Sequence, residues 1–338
     1  MSSGVAKISV TKQNPILKTV IKYPVLPTFA FFILMVIVFI VLSPANRSGQ
    51  NIFLSPTNLT NIFEATAGIS IGAFAVTLVL LVGCIDLSAG AIIALSSVTL
   101  ALSLETGMGL FTAILLTLAV GIVCGALNSL VAIKFKVPPF LATISMALVF
   151  TGFTYLISGS RTLLIQEPQL VRVFGSYGSG ASFLGLPVQL CWTLVFLFAL
   201  FMLINKSKYG RWAQATGGNI QAAYSSGVNV KMVQTVAFIV VGLSCAFVGI
   251  LFCARLSAAS ANFGSDYTLY LIIAAVLGGT NFSGNGGNVF GTLLGSLVMG
   301  VLTNGLGIIG VNIHIQLMIT GVVIVCAVVF SIWIANKK

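Results

Sequence analysis

The sequence predicts an all-α fold, a polytopic bundle of about ten transmembrane helices with both termini in the cytoplasm. Hydrophobic residues make up 58% of the 338 residues and charged residues only 6%, and the mean hydropathy is +1.12. A soluble domain carries about 25% charged residues, so this chain cannot build a water-exposed surface of normal size. Apolar runs long enough to cross a hydrocarbon core of ~30 Å recur along the whole length.

Apolar runs separated by polar breaks define the predicted elements in chain order. The first run begins at Pro24 and has full membrane length, whereas the apolar core of a signal peptide has only about 7 to 15 residues. We therefore expect an uncleaved first span. The ten predicted spans are residues 24–43, 65–83, 88–104, 110–133, 139–158, 184–204, 232–254, 267–280, 289–309 and 313–334.

The distribution of basic residues sets the orientation, because Lys and Arg prefer loops on the cytoplasmic side. With the N-terminus inside, the inside segments hold twelve of the 16 basic residues. The outside segments hold the remaining four, which are Arg47, Arg161, Arg172 and Arg255. The chain then divides into a basic cytoplasmic segment, residues 1–23, and a transmembrane domain, residues 24–338.

The longest inside loop, residues 205–231, is predicted to contain a short helix. Asn219 is a suitable N-cap, Ala222 and Ala223 favour a helix, and Gly227 is suited to end it. The helix is too short to cross a membrane and faces the cytoplasm. We expect it to contact a partner there; an ordinary solvated loop is the alternative.

Asp86 is the only charged residue among the 40 residues between Glu64 and Glu105. An acid inside a membrane span is usually functional, but the span limits place Asp86 at the cytoplasmic end of two spans. Water or a helix N-terminus can stabilise a carboxylate there. Its expected role is to cap the helix that begins at Leu87.

Glycine spacing in the last third of the chain predicts close helix packing. Gly287, Gly291 and Gly295 recur every four residues, the spacing that lets transmembrane helices approach closely. A GxGxxG match beginning at Gly305 lies in an apolar run with no strand before it. It also indicates helix packing rather than a dinucleotide site.

Several functional classes are excluded by missing motifs. The chain has no Gly-Lys dipeptide and hence no phosphate-binding loop of the GxxxxGK[ST] type. His314 is the only histidine and the six cysteines are dispersed, so no metal-ligand pattern exists. The net charge of +11 lies in loops, without a nucleic-acid-binding module. We expect no catalytic residues, no bound cofactor or metal and no nucleic acid, but the membrane half of a machine driven by another subunit.

Four segments follow one another in the order expected of a known family. They are CIDLSAG (84–90), KFKVPPFLATISM (134–146), KYGRWAQATGGNIQAAYSSGVNV (208–230) and IIAAVLGGTNFSGNGGNVFGTLLGSLVMGVLTNGLGIIGV (272–311). Together they resemble the permease subunits of bacterial ATP-binding-cassette importers for simple sugars, of the ribose and galactose type. The third segment followed by AAVLGGT is the most specific part of the resemblance.

The resemblance implies an importer of several subunits in a bacterial inner membrane. Two permeases form a homodimer or heterodimer, ATP-binding subunits hydrolyse ATP on the cytoplasmic face, and a periplasmic substrate-binding protein delivers the sugar. The loop 205–231 is then the element that docks on the ATPase. The residues that match the family pattern in this loop are Gly210, Arg211, Gly217, Gly218, Asn219, Ala222, Ala223, Ser226 and Gly227.

A neutral, polar sugar needs hydrogen-bonding side chains along its path. Candidates are Ser88, Asn128, Thr143, Asn281 and Asn304; helix caps or interhelical hydrogen bonds are the alternative roles. Outside the membrane, charged side chains steer and orient a docking protein. Arg161, Arg172 and Arg255 are candidates for pairing with carboxylates of the binding protein, and solvated arginines are the alternative.

Two departures from the family pattern leave the cargo open. Many members carry an acidic residue where this chain has residues 267–270, and Asn-Gly where it has Asn128 and Ser129. A nucleoside, a branched-chain amino acid or a furanone-type signal is the alternative cargo. An ion-coupled secondary transporter and a structural or signalling membrane protein are alternatives from other classes.

Overall fold

The computed structural model describes residues 25–46, 48–176, 178, 180–281, 284 and 286–335. The predicted basic segment 1–23 lies outside the described residues, as does Arg47. The helices in the described part are α1 Val25–Leu42, α2 Pro56–Leu81, α3 Ala89–Glu105, α4 Leu110–Ser129, α5 Pro139–Ser158, α6 Pro168–Phe174, α7 Val188–Phe201, α8 Lys208–Gly218, α9 Ile220–Ser225, α10 Val230–Leu256, α11 Tyr267–Leu277, α12 Val289–Ile308 and α13 Ile313–Ala335.

Short π-helical turns and two-stranded pairs complete the fold. The π-helical turns Leu130–Lys134 and Met202–Lys206 continue α4 and α7 at their ends. Strand β1 Leu163–Leu164 pairs antiparallel with β4 Ala258–Ala259. Strands β2 Ser182–Phe183 and β3 Leu186–Pro187 form a hairpin.

Each of the ten predicted spans coincides with one apolar helix. Seven helices of the described chain are long and apolar enough to cross a membrane. The shorter apolar helices α3 and α11 correspond to the third and eighth predicted spans, and the apolar part Ile313–Val323 of α13 corresponds to the tenth. The second span starts earlier than its predicted limit, residue 65, because Ser55 accepts a hydrogen bond from the Asn58 N–H and Pro56 opens the helix. The sixth starts later, at Val188, because residues 182–187 form the hairpin.

Two helices form the centre of the bundle. Helix α2 is buried throughout from Thr66 to its end and packs against α7, α10, α11 and α12. Helix α10 packs against α2, α3 and α4. In contrast, α1 and α5 leave most of their apolar side chains exposed, as expected of surfaces that face lipid or another membrane subunit.

The predicted close packing by glycine is confirmed between α11 and α12. A Cβ atom at Gly291 would collide with the Gly278 backbone, and one at Gly295 with the Ala274 backbone. Gly305 faces the ring of Phe39, so the GxGxxG match also belongs to helix packing. These contacts exclude any larger side chain without movement of the helices.

Contacts between loops agree with the predicted sides of the membrane. Glu105 and Arg161 form an ion pair, β1 pairs with β4, and Ser176 donates hydrogen bonds to Glu64. Each contact joins two segments that the span order places outside. Thus the fold brings together the segments that the alternation of spans assigns to the same side.

Candidate functional site: a cytoplasmic two-helix loop and a buried polar cluster

The inside loop 205–231 folds into the two helices α8 and α9. The Asn219 side chain accepts a hydrogen bond from the Ala222 N–H at 3.0 Å, and Gly227 leaves the helix with φ of +80°. The predicted N-cap and helix stop are therefore confirmed. Helix α8 was not predicted; Ser207 is its N-cap and accepts a hydrogen bond from the Gly210 N–H at 3.0 Å.

The nine residues that match the family pattern in this loop have two different environments. Arg211, Gly218, Asn219, Ala222, Ser226 and Gly227 are exposed and accessible to a partner. Gly210 and Ala223 are buried, and Gly217 is half-buried. Gly210 and Ala223 lie against the chain itself in this conformation, and contact with the ATPase stays a prediction for all nine residues.

Gly217 joins α8 to the membrane bundle. A Cβ atom at this position would collide with the carbonyl oxygens of Leu81 and Gly284. Leu81 is the last residue of α2, and Gly284 lies in the connection between α11 and α12. The neighbouring Gly218 has open space around it, so the close approach is specific to Gly217.

The sequence reading missed two exposed apolar side chains on α9. Ile220 is 50% exposed and Tyr224 is 70% exposed. They stand four residues apart, so they lie on the same face of the helix. Large apolar side chains exposed on a water-facing loop are typical of a protein contact. The sequence signal that could have predicted this apolar face is the pair of apolar residues, four positions apart, that begins directly after the N-cap.

Asp86 lies in the connection between α2 and α3 and is fully buried. Its Oδ1 accepts hydrogen bonds from the Ser88 N–H at 2.8 Å and the Ser88 hydroxyl at 2.7 Å. Asn128 Nδ2 donates to Ser88 Oγ at 2.7 Å and approaches Asp86 Oδ2 at 3.4 Å. Burial raises the pKa of Asp86, and the hydrogen bonds from Ser88 and Asn128 oppose that rise in part.

The predicted cap is wrong in position. Helix α3 begins at Ala89 with Ser88 as N-cap, whereas Asp86 was expected to cap a helix that begins at Leu87. The Asp86 carboxylate binds the N–H of the N-cap residue itself, so it orders the turn before the helix. It is also shielded from water, contrary to the expectation for a span end.

Three candidate path residues belong to this buried cluster. Ser88, Asn128 and Thr143 are all fully buried. Thr143 Oγ1 accepts a hydrogen bond from the Leu87 N–H at 3.0 Å, which ties α5 to the same connection. In this conformation none of the three can touch a solute. Their observed role is the alternative one, hydrogen bonds between elements of the bundle.

The remaining two candidates lie near α12. Asn304 Nδ2 donates to Asn58 Oδ1 at 2.9 Å, and Asn58 Nδ2 donates to the Phe53 carbonyl at 2.9 Å. Asn304 therefore connects α12 to α2. Asn281 is half-buried in the connection that follows α11, and its place on a path stays a prediction.

The three outer arginines differ in their partners. Arg161 Nη2 lies 2.9 Å from a carboxylate oxygen of Glu105, and Arg255 Nε lies 4.0 Å from the buried Glu64. Arg172 is exposed on α6. Two of the three thus already face a carboxylate of their own chain, and contact with a binding protein stays a prediction for all three.

The matching family and the similar proteins of known sequence are all described as permeases. The profile of the family described as branched-chain amino acid transport system / permease component matches residues 58–328. The ribose import permease protein RbsC of Bacillus subtilis (strain 168) is 38% identical over 305 residues, which cover 90% of this chain and 91% of that protein. RbsC of Escherichia coli (strain K12) is 35% identical over 85% of this chain and 88% of its own.

Two further proteins extend the comparison. The D-allose transport system permease protein AlsC of Escherichia coli (strain K12) is 34% identical over 88% of this chain and 89% of its own. A solved inward-facing structure of a metal-chelate type ABC transporter superposes with a TM-score of 0.53 at 17% identity, covering 89% of this chain and 99% of that one. At that identity the superposition supports the fold alone.

Proposed function

This chain belongs to the permease-component family of branched-chain amino acid transport systems, and from that premise we propose that it is the membrane-spanning subunit of an ATP-driven sugar importer. Its cargo is a simple sugar of the ribose type. The observation that carries this proposal is the similarity to two ribose permeases and one D-allose permease along most of the chain. The cargo is taken up across the bacterial inner membrane.

The energy for transport comes from a separate ATP-binding subunit on the cytoplasmic face. This chain binds no cofactor itself, and ATP is used by the partner. The exposed face of α9 that carries Ile220 and Tyr224 docks on that subunit. Two apolar anchors surrounded by small and polar residues suit a groove on a partner protein.

Movement of the ATPase reaches the membrane bundle through α8. Gly217 lies against the end of α2 and against the α11–α12 connection without space for a side chain. Tightly packed elements shift together rather than deform. A displacement of α8 and α9 therefore moves the end of α2, which belongs to the buried centre, together with the α11–α12 connection.

The sugar path runs between two permease subunits, which form a homodimer or a heterodimer. Ser88, Asn128 and Thr143 are enclosed within one chain, so they offer no polar lining to a path through a single subunit. The exposed faces of α5 and α13 are available for a second permease. A periplasmic substrate-binding protein supplies the sugar and the selectivity from outside.

Reconstitution tests the proposal. The chain is placed in liposomes with the ATP-binding subunit and the ribose-binding protein of the same genome, and uptake of radiolabelled ribose, allose and galactose is measured. We expect uptake that needs ATP, the binding protein and the ATP-binding subunit together. Leucine and uridine, offered with binding proteins of the matching specificity, are the controls for the alternative cargoes.

Two outcomes would contradict the proposal, the first in whole and the second only in its cargo. Uptake by the purified chain alone, driven by a sodium or proton gradient, would identify a secondary transporter instead. ATP-dependent uptake of leucine or uridine without uptake of any sugar would retain the importer and replace the cargo.

A further inference from the structure

A polar cleft of about 460 Å³ opens at the outer end of α3. One wall is the end of α3 with Glu105, and the other is the segment from Arg161 to Glu167 that follows α5. It lies on the side of the membrane where a periplasmic protein would approach.

The charges that line the cleft leave one carboxylate without a partner. Arg161 Nη2 donates to both carboxylate oxygens of Glu105, at 3.0 and 2.9 Å, so these two charges offset each other. No cation among the described residues lies within salt-bridge distance of Glu167. Glu167 precedes α6, but its side chain makes no capping hydrogen bond. The cleft therefore carries a net charge of about −1.

An exposed leucine lies beside these charges. In strand β1, Leu163 faces the core at 4% exposure, whereas Leu164 is 78% exposed and lines the cleft. The alternation along a strand forces this difference, because neighbouring side chains point to opposite faces. An apolar side chain next to an unpaired charge offers a partner protein both an apolar contact and an ion pair.

We propose that this cleft receives a lysine or arginine side chain of the substrate-binding protein, whose cation pairs with Glu167 while an adjacent apolar group covers Leu164. The inference rests on the proposed function, which supplies the binding protein as a partner. It reverses the polarity expected from the outer arginines: here the permease provides the carboxylate and the binding protein the cation.

Association kinetics test the cleft. The permease–ATPase complex is placed in nanodiscs, and the association rate of purified ribose-binding protein, loaded with sugar, is measured at low and high salt. We expect Glu167→Gln to slow association about threefold and Glu167→Lys about tenfold at low salt, because charges at an interface act mainly on the association rate. The difference should shrink at high salt, where charges are screened.

A matched control separates the cleft from a general effect of outer charge. Asp266 is an exposed outer acid and lies outside the residues that line the cleft, so Asp266→Asn should leave the association rate unchanged. Restoration of the Glu167→Lys rate by a Lys→Glu or Arg→Glu change on the binding protein would identify the cation. The assembly and melting temperature of each variant should equal those of the wild type.

Three results would overturn the inference. They are wild-type association by both Glu167 variants, faster association by Glu167→Lys, and an equal loss with Asp266→Asn. In each of them the wild-type complex still binds the protein and imports sugar, so the proposed function survives. If the wild-type complex neither binds nor imports, the proposed function itself fails and the cleft loses its partner.

Discussion

Asp86 is a buried carboxylate that acts as a hydrogen-bond acceptor at the centre of a polar cluster. A charge in an apolar interior is costly unless its oxygens are hydrogen-bonded. Here Ser88 supplies two donors and Asn128 a weaker third. The cluster joins the α2–α3 connection to α4, so its main role is to hold these elements in one arrangement.

The first prediction compares Asp86→Asn with Asp86→Leu. The asparagine side chain keeps one acceptor oxygen for Ser88, so we expect a loss of about 1 kcal/mol in stability. Leucine leaves the Ser88 N–H and the Ser88 hydroxyl hydrogen without an acceptor and removes the weaker contact with Asn128, so we expect about 3 kcal/mol or more. Thermal unfolding of the complex in detergent measures both.

Transport assays separate a structural role of Asp86 from a role of its charge. The structural role predicts that Asp86→Asn keeps most of the uptake. If this variant abolished uptake while the complex remained assembled and as stable as the wild type, the negative charge would be required, and the acceptor account would be wrong.

At the scale of elements, α9 presents a small apolar face to the cytoplasm. We expect Ile220→Asp or Tyr224→Ala to lower ATP-driven uptake at least tenfold, because each removes an anchor from the contact with the ATP-binding subunit. Gln221→Ala, at an exposed position on the same helix, is the matched control. Co-purification of the ATP-binding subunit measures the contact directly, and its full retention in both variants would exclude this face as the docking surface.

Helix α8 provides a second test at the same scale, because two adjacent glycines have opposite surroundings. Gly217→Ala should lower stability and uptake, since its Cβ would collide with the carbonyl oxygens of Leu81 and Gly284. Gly218→Ala should be neutral or stabilise by up to about 1 kcal/mol, because alanine favours a helix and nothing obstructs it. Melting temperature and uptake are compared, and equal effects of the two changes would contradict the close approach at Gly217.

At the scale of the whole molecule, the fold separates two kinds of surface. The inside segments carry most of the basic residues, whereas four of the five acids map outside. This asymmetry supports an orientation with both termini in the cytoplasm. The outer end then offers the binding protein a surface of mixed charge.

Reporter fusions test this orientation. Alkaline phosphatase fused after Met108, or inserted at Gly178, should be active, because both positions lie in predicted outside loops. Green fluorescent protein at the C-terminus, or inserted after Gly218, should fluoresce, because it folds in the cytoplasm. The opposite pattern at any two sites would require a different number of spans.

The class of the protein and most of its elements followed from local properties of the sequence. Apolar runs of membrane length, basic loops on alternate sides and the Asn219 cap with its Gly227 stop depend on the nearest residues alone. For that reason each of the ten predicted spans coincides with an apolar helix, although two begin several residues from the predicted limit, and the short helix α9 and the glycine packing between α11 and α12 are confirmed.

Only the tertiary structure decided what the polar residues do. Ser88, Asn128 and Thr143 come from three separate segments, and their hydrogen-bond partners exist only once the helices have packed. The same holds for Gly217, whose neighbours Leu81 and Gly284 are distant in sequence, and for Glu167, which is left unpaired because Arg161 is paired with Glu105. Apolar patterns depend on neighbouring residues and can therefore be recognised in a sequence. The partners of buried and interfacial polar groups cannot, because they depend on which distant segments come into contact.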